Sequence, residues 1–324
     1  IFWINVPVVL ISIALILWKM PNYPAQNRTA KMDFIGILLL IVSSSAIIYS
    51  LVNAAHTDRF NNATSIEMLI LGAIALISYV VWAAWQKERA VVPLHLFKFA
   101  SFDGAGLGLF IAGTVLNGAM LLLPLYFQNV RGMSVINAAL ALLPQGAGML
   151  VSRTLTGRLT DQIGAKYVVL GSVVITFVGT LPFYWFGQQT SYWILALILF
   201  VRGIGAGGIL MPLMADAYTG MQPGQVPAAT IGTRIIQNIG SAFGSALITT
   251  IVTAYSTHQV NVFERHLKAG TYHVDAAHLQ VFTTSHLQAI RLAAFQQGFL
   301  VIAIAAIVII LPTLLLTNKL KAAK

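Results

Sequence analysis

Long apolar runs alternate with short polar punctuation along this chain from one end to the other. A hydrocarbon layer of about 30 Å takes roughly 20 helical residues at 1.5 Å each, and that length recurs. Nine spans are predicted: 1–18, 33–53, 68–85, 103–126, 137–155, 167–186, 192–214, 228–254 and 295–316. They read as membrane-spanning helices punctuated by charge, Pro or Gly. Between them stand PNYPAQNRTAKM, HTDRFNNATSI, KERAVVPLHLFKFAS, GRLTDQIGAK, QQTS and NKLKAAK, with one long polar loop over 258–291. Asp33 is placed to cap the second helix at its positive end. Pro93 breaks the third connector, where Leu94, Leu96 and Phe97 are expected along the interface. GRLTDQIGAK, Gly157 to Lys166, is expected as a loop at a membrane face, because polar irregular backbone cannot sit in lipid.

Composition agrees. Of 324 residues, 58% are hydrophobic and 9% charged, and mean hydropathy is +0.82, the signature of a membrane protein. The formal charge of +10 would suit nucleic acid, but its distribution has a simpler reading. Twelve Lys and Arg residues fall on one set of alternate faces (Lys19, Arg28, Lys31, Lys87, Arg89, Lys98, Arg153, Arg158, Lys166, Lys319, Lys321, Lys324) and five on the other (Arg59, Arg131, Arg265, Lys268, Arg291). Cations collect on cytoplasmic loops, so the first set is expected inside and the long loop outside. An odd number of spans then puts the two ends on opposite sides. The chain has no cysteine, which excludes disulfides and thiolate chemistry. Its first run lacks a basic leader and a cleavage site and reads as an internal helix of a longer protein.

GRLTDQIGAK resembles the cytoplasmic-loop signature of the major facilitator superfamily, with Gly157, Asp161, Gly164 and Lys166 in place and Gln162 and Ala165 standing where arginine is usual. INVP (4–7), LPLYFQ (123–128), ALLPQGAGML (141–150), RGIGAGG (202–208) and QNIGSAFGSA (237–246) are similar to its fourteen-spanner drug:proton antiporter branch. The resemblance implies an all-α helical bundle: residues 1–20 as the last helix of an N-terminal bundle, 21–100 as two inserted helices and a linker, and 101–324 as the C-terminal six-helix bundle. It also implies five further helices upstream, and a multi-pass location in a bacterial cytoplasmic membrane. By the same resemblance Asp161 is a cytoplasmic gate against a neighbouring helix N-terminus, where a carboxylate gains from the dipole.

Polar groups inside apolar spans are the candidate substrate path. Arg202 lies about ten residues, roughly 15 Å, into its span and should face a cavity or a partner. Arg234 lies about two turns into the next, where its charge can snorkel. Resemblance puts Arg234 where the family often has asparagine and Gln237 where it often has arginine, and Asn238 stands beside them. Asn117, Gln128 and Gln145 are uncharged candidates, each readable as a helix-bridging amide. Glycine pairs four apart, 104/108, 203/207 and 240/244, predict close helix approach. Proton coupling needs a buried carboxylate. Asp103 and Asp216 are the candidates within this chain, capping and interface placement explain both as well, and the upstream helices are the expected home of the coupling acid.

Five of the seven histidines, His258, His266, His273, His278 and His286, lie in the long loop, without the i, i+4 spacing a metal pair wants. The chain has no phosphate-binding Gly-rich loop and no nucleophile elbow. An enzyme and a cofactor are therefore not expected. The expected partners are a small-molecule substrate, protons and the bilayer, with a periplasmic adaptor protein admitted and nucleic acid excluded. Two classes stay open at this point: a secondary exporter of amphipathic organic compounds, and a non-transporting membrane protein that handles lipid or serves as a structural partner.

Overall fold

A computed structural model describes residues 5–19, 32–56, 62–269 and 278–316. Arg28, Lys31, Asp58, Arg59, His273, Asp275, Lys319, Lys321 and Lys324 lie outside them. The chain forms two compact units, residues 1–32 and 33–324. The first contributes one apolar helix, α1 (Asn5–Lys19). The second carries α2 (Phe34–His56), α3 (Ala63–Gln86), α4 (Ala100–Asn129), α5 (Val135–Ala141), α6 (Leu143–Ile163), α7 (Ala165–Thr180), α8 (Tyr192–Gly207), α9 (Leu210–Ala217), α10 (Val226–Lys268), α11 (Leu279–Val308) and α12 (Ile310–Thr313).

Eight helical segments among the described residues are long and apolar enough to cross a bilayer. Three of them are split between two α-helices, one of these at Ile309 between α11 and α12. Pro144, lacking an N–H, separates α5 from α6, and the chain bends at Gly208 between α8 and α9. Large apolar side chains face outward throughout, Trp193 at 80% and Leu150 at 69% exposure among them. Water would penalise that surface and hydrocarbon does not.

Asp33 does more than cap. Its Oδ1 accepts from the Gly36 amide at 2.8 Å and from Trp82 Nε1 at 2.9 Å, and its Oδ2 accepts from the Val91 amide at 3.3 Å. One carboxylate thus holds the start of α2, the end of α3 and the following connector. Tyr79 adds a second tie, its hydroxyl donating to the Val92 carbonyl at 3.1 Å and accepting from the Val92 amide at 2.7 Å. Asp33→Ala leaves three donors without their acceptor, and a loss of about 2 kcal/mol is expected, measured as the thermal midpoint in detergent.

Three expectations are corrected. The connector before α4 does not lie along the interface at Leu96: two 3-10 turns, Lys87–Arg89 and Leu94–Lys98, fold it inward until Leu96 is fully buried, while Phe97 stays half exposed. GRLTDQIGAK is not a loop. Helix α6 runs through Ile163, α7 starts at Ala165, and the only break is Gly164 at φ +89°. That left-handed backbone suits glycine, so a single residue turns the chain. Nor is 258–291 a loop. Helix α10 continues to Lys268 and α11 begins at Leu279. At 1.5 Å per residue α10 is about 65 Å long, roughly twice the hydrocarbon thickness, so it must project beyond the lipid. No glycine or proline stands between Ser245 and Ala269, and polarity by itself does not end a helix. The extensions are zipped by Phe263, whose ring stacks on His286 at 5.0 Å, and by Phe282, 4.2 Å from the same imidazole.

Candidate substrate path

Helices α4 and α10 form the most extensive pair in the molecule, and glycine is the reason. A Cβ on Gly240 would meet the Phe110 carbonyl, and one on Gly244 the Thr114 backbone. On the opposing helix, a Cβ added to Gly118 would lie 3.2 Å from the Gly244 carbonyl oxygen. Backbones this close let side chains bond across the seam. Thr114 Oγ1 donates to the Gly240 carbonyl at 3.0 Å, and Asn117 Nδ2 donates to Ser241 Oγ at 2.7 Å. Ser241 Oγ in turn donates to the Gln237 carbonyl at 2.9 Å, and Arg234 Nη1 donates to Gln237 Oε1 at 3.3 Å. Asn117, Arg234 and Gln237 therefore belong to one polar strip, with Asn238 exposed on the same helix.

Arg202 belongs to a different group. It is 1% exposed on α8, with its backbone against Gly179 of α7. Its Nε donates to Thr180 Oγ1 at 3.2 Å, and its Nη2 is buried with no hydrogen-bond partner. Gln145 of α6 lies next door, its carbonyl meeting Gly203, and its Oε1 is likewise buried and unpartnered. An open donor and an open acceptor thus sit on adjacent helices. No hydrogen bond among the described residues joins this pair to the α4–α10 strip. Gln128 stands apart, half-buried near the end of α4.

The remaining candidates divide by burial. Asp216 is 3% exposed on α9, whereas Asp103 is exposed in the first turn of α4. Asp103 borders an apolar hollow of about 440 Å³ lined by Phe97, Phe102, Leu107, Phe110 and Ile236. In the signature stretch, Gly157 and Asp161 are exposed, and open space surrounds the Gly157 Cα. Asp161 is bonded to no described residue, so no closed gate contact is formed here. Lys166 Nζ donates to the Leu314 carbonyl at 3.0 Å, a cation at the C-terminal end of the final helical turn.

Thr114, Thr180 and Ser241 were not among the sequence candidates. A usable signal existed for two of them, since Ser241 follows Gly240 directly and Thr114 follows Gly113, and side chains beside a close glycine contact reach the opposing backbone.

Residues 1–245 match the family profile described as Major Facilitator Superfamily. The chain belongs to the major facilitator superfamily. That is a family of membrane transporters, not of enzymes, and with eight helical segments among the described residues long and apolar enough to cross a bilayer this member is an integral multi-pass membrane protein. It is 27% identical over 254 residues to the lincomycin resistance protein LmrB of Listeria monocytogenes, covering 78% of this chain and 53% of that one. It is 28% identical over 257 residues to the drug efflux pump JefA of Mycobacterium tuberculosis, covering 78% and 50%. A multidrug resistance protein B homolog of the same organism is 26% identical over 261 residues, covering 80% and 48%. The chain thus spans about half the length of these relatives. Among solved structures, a bacterial homologue of the human lysosomal transporter Spinster, inward-facing, covers 78% of this chain and 59% of its own with a TM-score of 0.49 at 13% identity.

Proposed function

We propose that the protein carrying this chain is a proton-coupled antiporter of the fourteen-spanner branch that exports amphipathic organic compounds from a bacterial cytoplasm by alternating access. The observation that carries this reading is the polar strip of Asn117, Ser241, Gln237 and Arg234 on the glycine-backed α4–α10 seam. Intramembrane polar groups mark substrate pathways, and small-residue interfaces let one helix slide on another. Relatives named for lincomycin resistance and drug efflux support export as the direction. Residues 1–20 serve as the last helix of the N-terminal bundle, 21–100 as the inserted pair with its linker, and 101–324 as the C-terminal bundle. Asp161 gates the cytoplasmic side. Asp103 and Asp216 are the local carboxylate candidates, and the upstream helices are the expected home of the coupling acid. A periplasmic adaptor is an admissible partner.

Everted membrane vesicles containing the whole protein test the reading. With an imposed proton gradient they are expected to accumulate an amphipathic dye, and a protonophore is expected to abolish the accumulation. Uptake indifferent to the gradient would leave the non-transporting membrane protein as the better account.

A further inference from the structure

A cleft of about 400 Å³ opens between α4, α10 and α11 at the end of the crossing from which the helical extensions project. Its floor is apolar: Leu122 of α4 and Phe295 of α11 are nearly fully buried there, with Leu125 beside them. Its rim is polar, and the rim's hydrogen bonding changes abruptly along α10. Ser241, Ser245 and Thr249 each donate to the carbonyl four residues earlier, at 2.9, 3.1 and 2.9 Å, the usual way a hydroxyl is satisfied inside a membrane helix. Thr249, which already lines the cleft, is the last rung of that ladder. Thr253, Ser256 and Thr257 line it, and none bonds to any described residue. Asn129 of α4 and Arg291 of α11 complete the rim, and they too are without hydrogen-bond or ion-pair partners among the described residues.

Five polar side chains without protein partners therefore surround an apolar floor, Asn129, Thr257 and Arg291 among them solvent-exposed, and the only charge among them is positive. From this we infer that the cleft binds a single-chain amphipathic anion, its carboxylate or similar group held by Arg291 and the α10 hydroxyls and its apolar body lying on Leu122, Leu125 and Phe295. Charge fixes the sign of the head group, since a guanidinium recognises an oxyanion through paired N–H donors. Size fixes the rest: about 400 Å³ is at the small end of ligand pockets and suits one alkyl or aromatic body rather than a two-chain phospholipid. Thr249 stands about 35 Å along α10 from Val226, the depth at which a head group leaves hydrocarbon for water. The site is separate from the α4–α10 polar strip and requires no ion gradient to fill, so its test is independent of the transport reading.

The whole protein in neutral phosphatidylcholine nanodiscs is titrated with dansylaminoundecanoate and with the corresponding uncharged amide, and dansyl fluorescence reports binding without any gradient. The carboxylate is expected to bind, Arg291→Gln to weaken it about tenfold, and Arg291→Lys, which keeps the charge but loses the planar pair of donors, to weaken it by an intermediate factor of about threefold. Thr253→Val should weaken it by about threefold. Arg265→Gln, an exposed cation on the α10 extension, should leave it unchanged, and the amide should bind weakly and indifferently to Arg291. The proposal is overturned if Arg291→Gln shifts carboxylate affinity by less than about twofold, or if the amide binds as tightly. It is also overturned if phosphatidylglycerol nanodiscs displace the probe in the wild type but not in Arg291→Gln, which would make the cleft a bilayer-lipid site.

Discussion

Gly244→Leu is expected to abolish the folded protein, with a loss of at least about 3 kcal/mol, the upper part of the range for overpacking. The magnitude follows from what faces the glycine. Its missing Cβ would meet the Thr114 backbone rather than a side chain able to rotate away, so the helices must separate along their seam. Separation also breaks the Thr114 to Gly240 and Asn117 to Ser241 hydrogen bonds, leaving polar groups unpaired in an apolar setting. The measurement is the monodisperse fraction and thermal midpoint in a mild detergent. Gly157 is the internal control: open space surrounds it on α6, and Gly157→Ala should stabilise by about 0.5–1 kcal/mol through helix propensity. If Gly244→Leu remains folded with an unchanged midpoint, the glycine-backed seam is not what holds α4 against α10.

Arg202→Met is expected to separate stability from activity. An enclosed guanidinium with one nitrogen unpartnered opposes folding, because little offsets its desolvation. Methionine fills similar space without charge. The variant should match or exceed the wild type in stability, by up to about 4 kcal/mol, whereas Arg202→Ala should lose about 2–4 kcal/mol by opening a cavity. Gradient-driven dye uptake in vesicles is expected to fall at least about tenfold in Arg202→Met. A destabilising charge kept in a membrane interior is a functional group by default, and Gln145 Oε1 supplies an adjacent open acceptor. Wild-type transport by Arg202→Met would reduce Arg202 to a packing residue.

The legible part of the fold was its membrane character. Apolar runs of about twenty residues gave the crossings, and five of the predicted spans differ from the observed helices mainly at their ends. Helix ends were less legible, for a local reason. At Gly157–Ile163 and over 258–268 polar residues continue a helix, and nothing in their composition separates a solvated helix from a solvated loop. The absence of glycine and proline between Ser245 and Ala269 was the available signal, and it outweighs polarity because backbone geometry, not solvent, stops a helix.

The candidate path shows the same division. Asn117, Gln237 and Arg234 were identifiable as polar groups in apolar spans, and Gly240 and Gly244 as a close-packing face. That Asn117 meets Ser241 could not be read, since the partners are 124 residues apart and helix register across a seam depends on how two surfaces interlock. The grouping of Arg202 with Thr180 and Gln145 is of the same kind.

The sequence by itself determined that this chain lives in lipid and that it does so in helices. Each of those follows from the free energy of single residues in hydrocarbon or water, which needs no knowledge of neighbours. The tertiary structure alone decided which polar groups meet, that a carboxylate at Asp33 joins three segments, and that the hydroxyl ladder of α10 ends where Arg291 faces a cleft. Those are properties of contacts between distant residues, and pairing energy exists only once packing has brought the partners within reach.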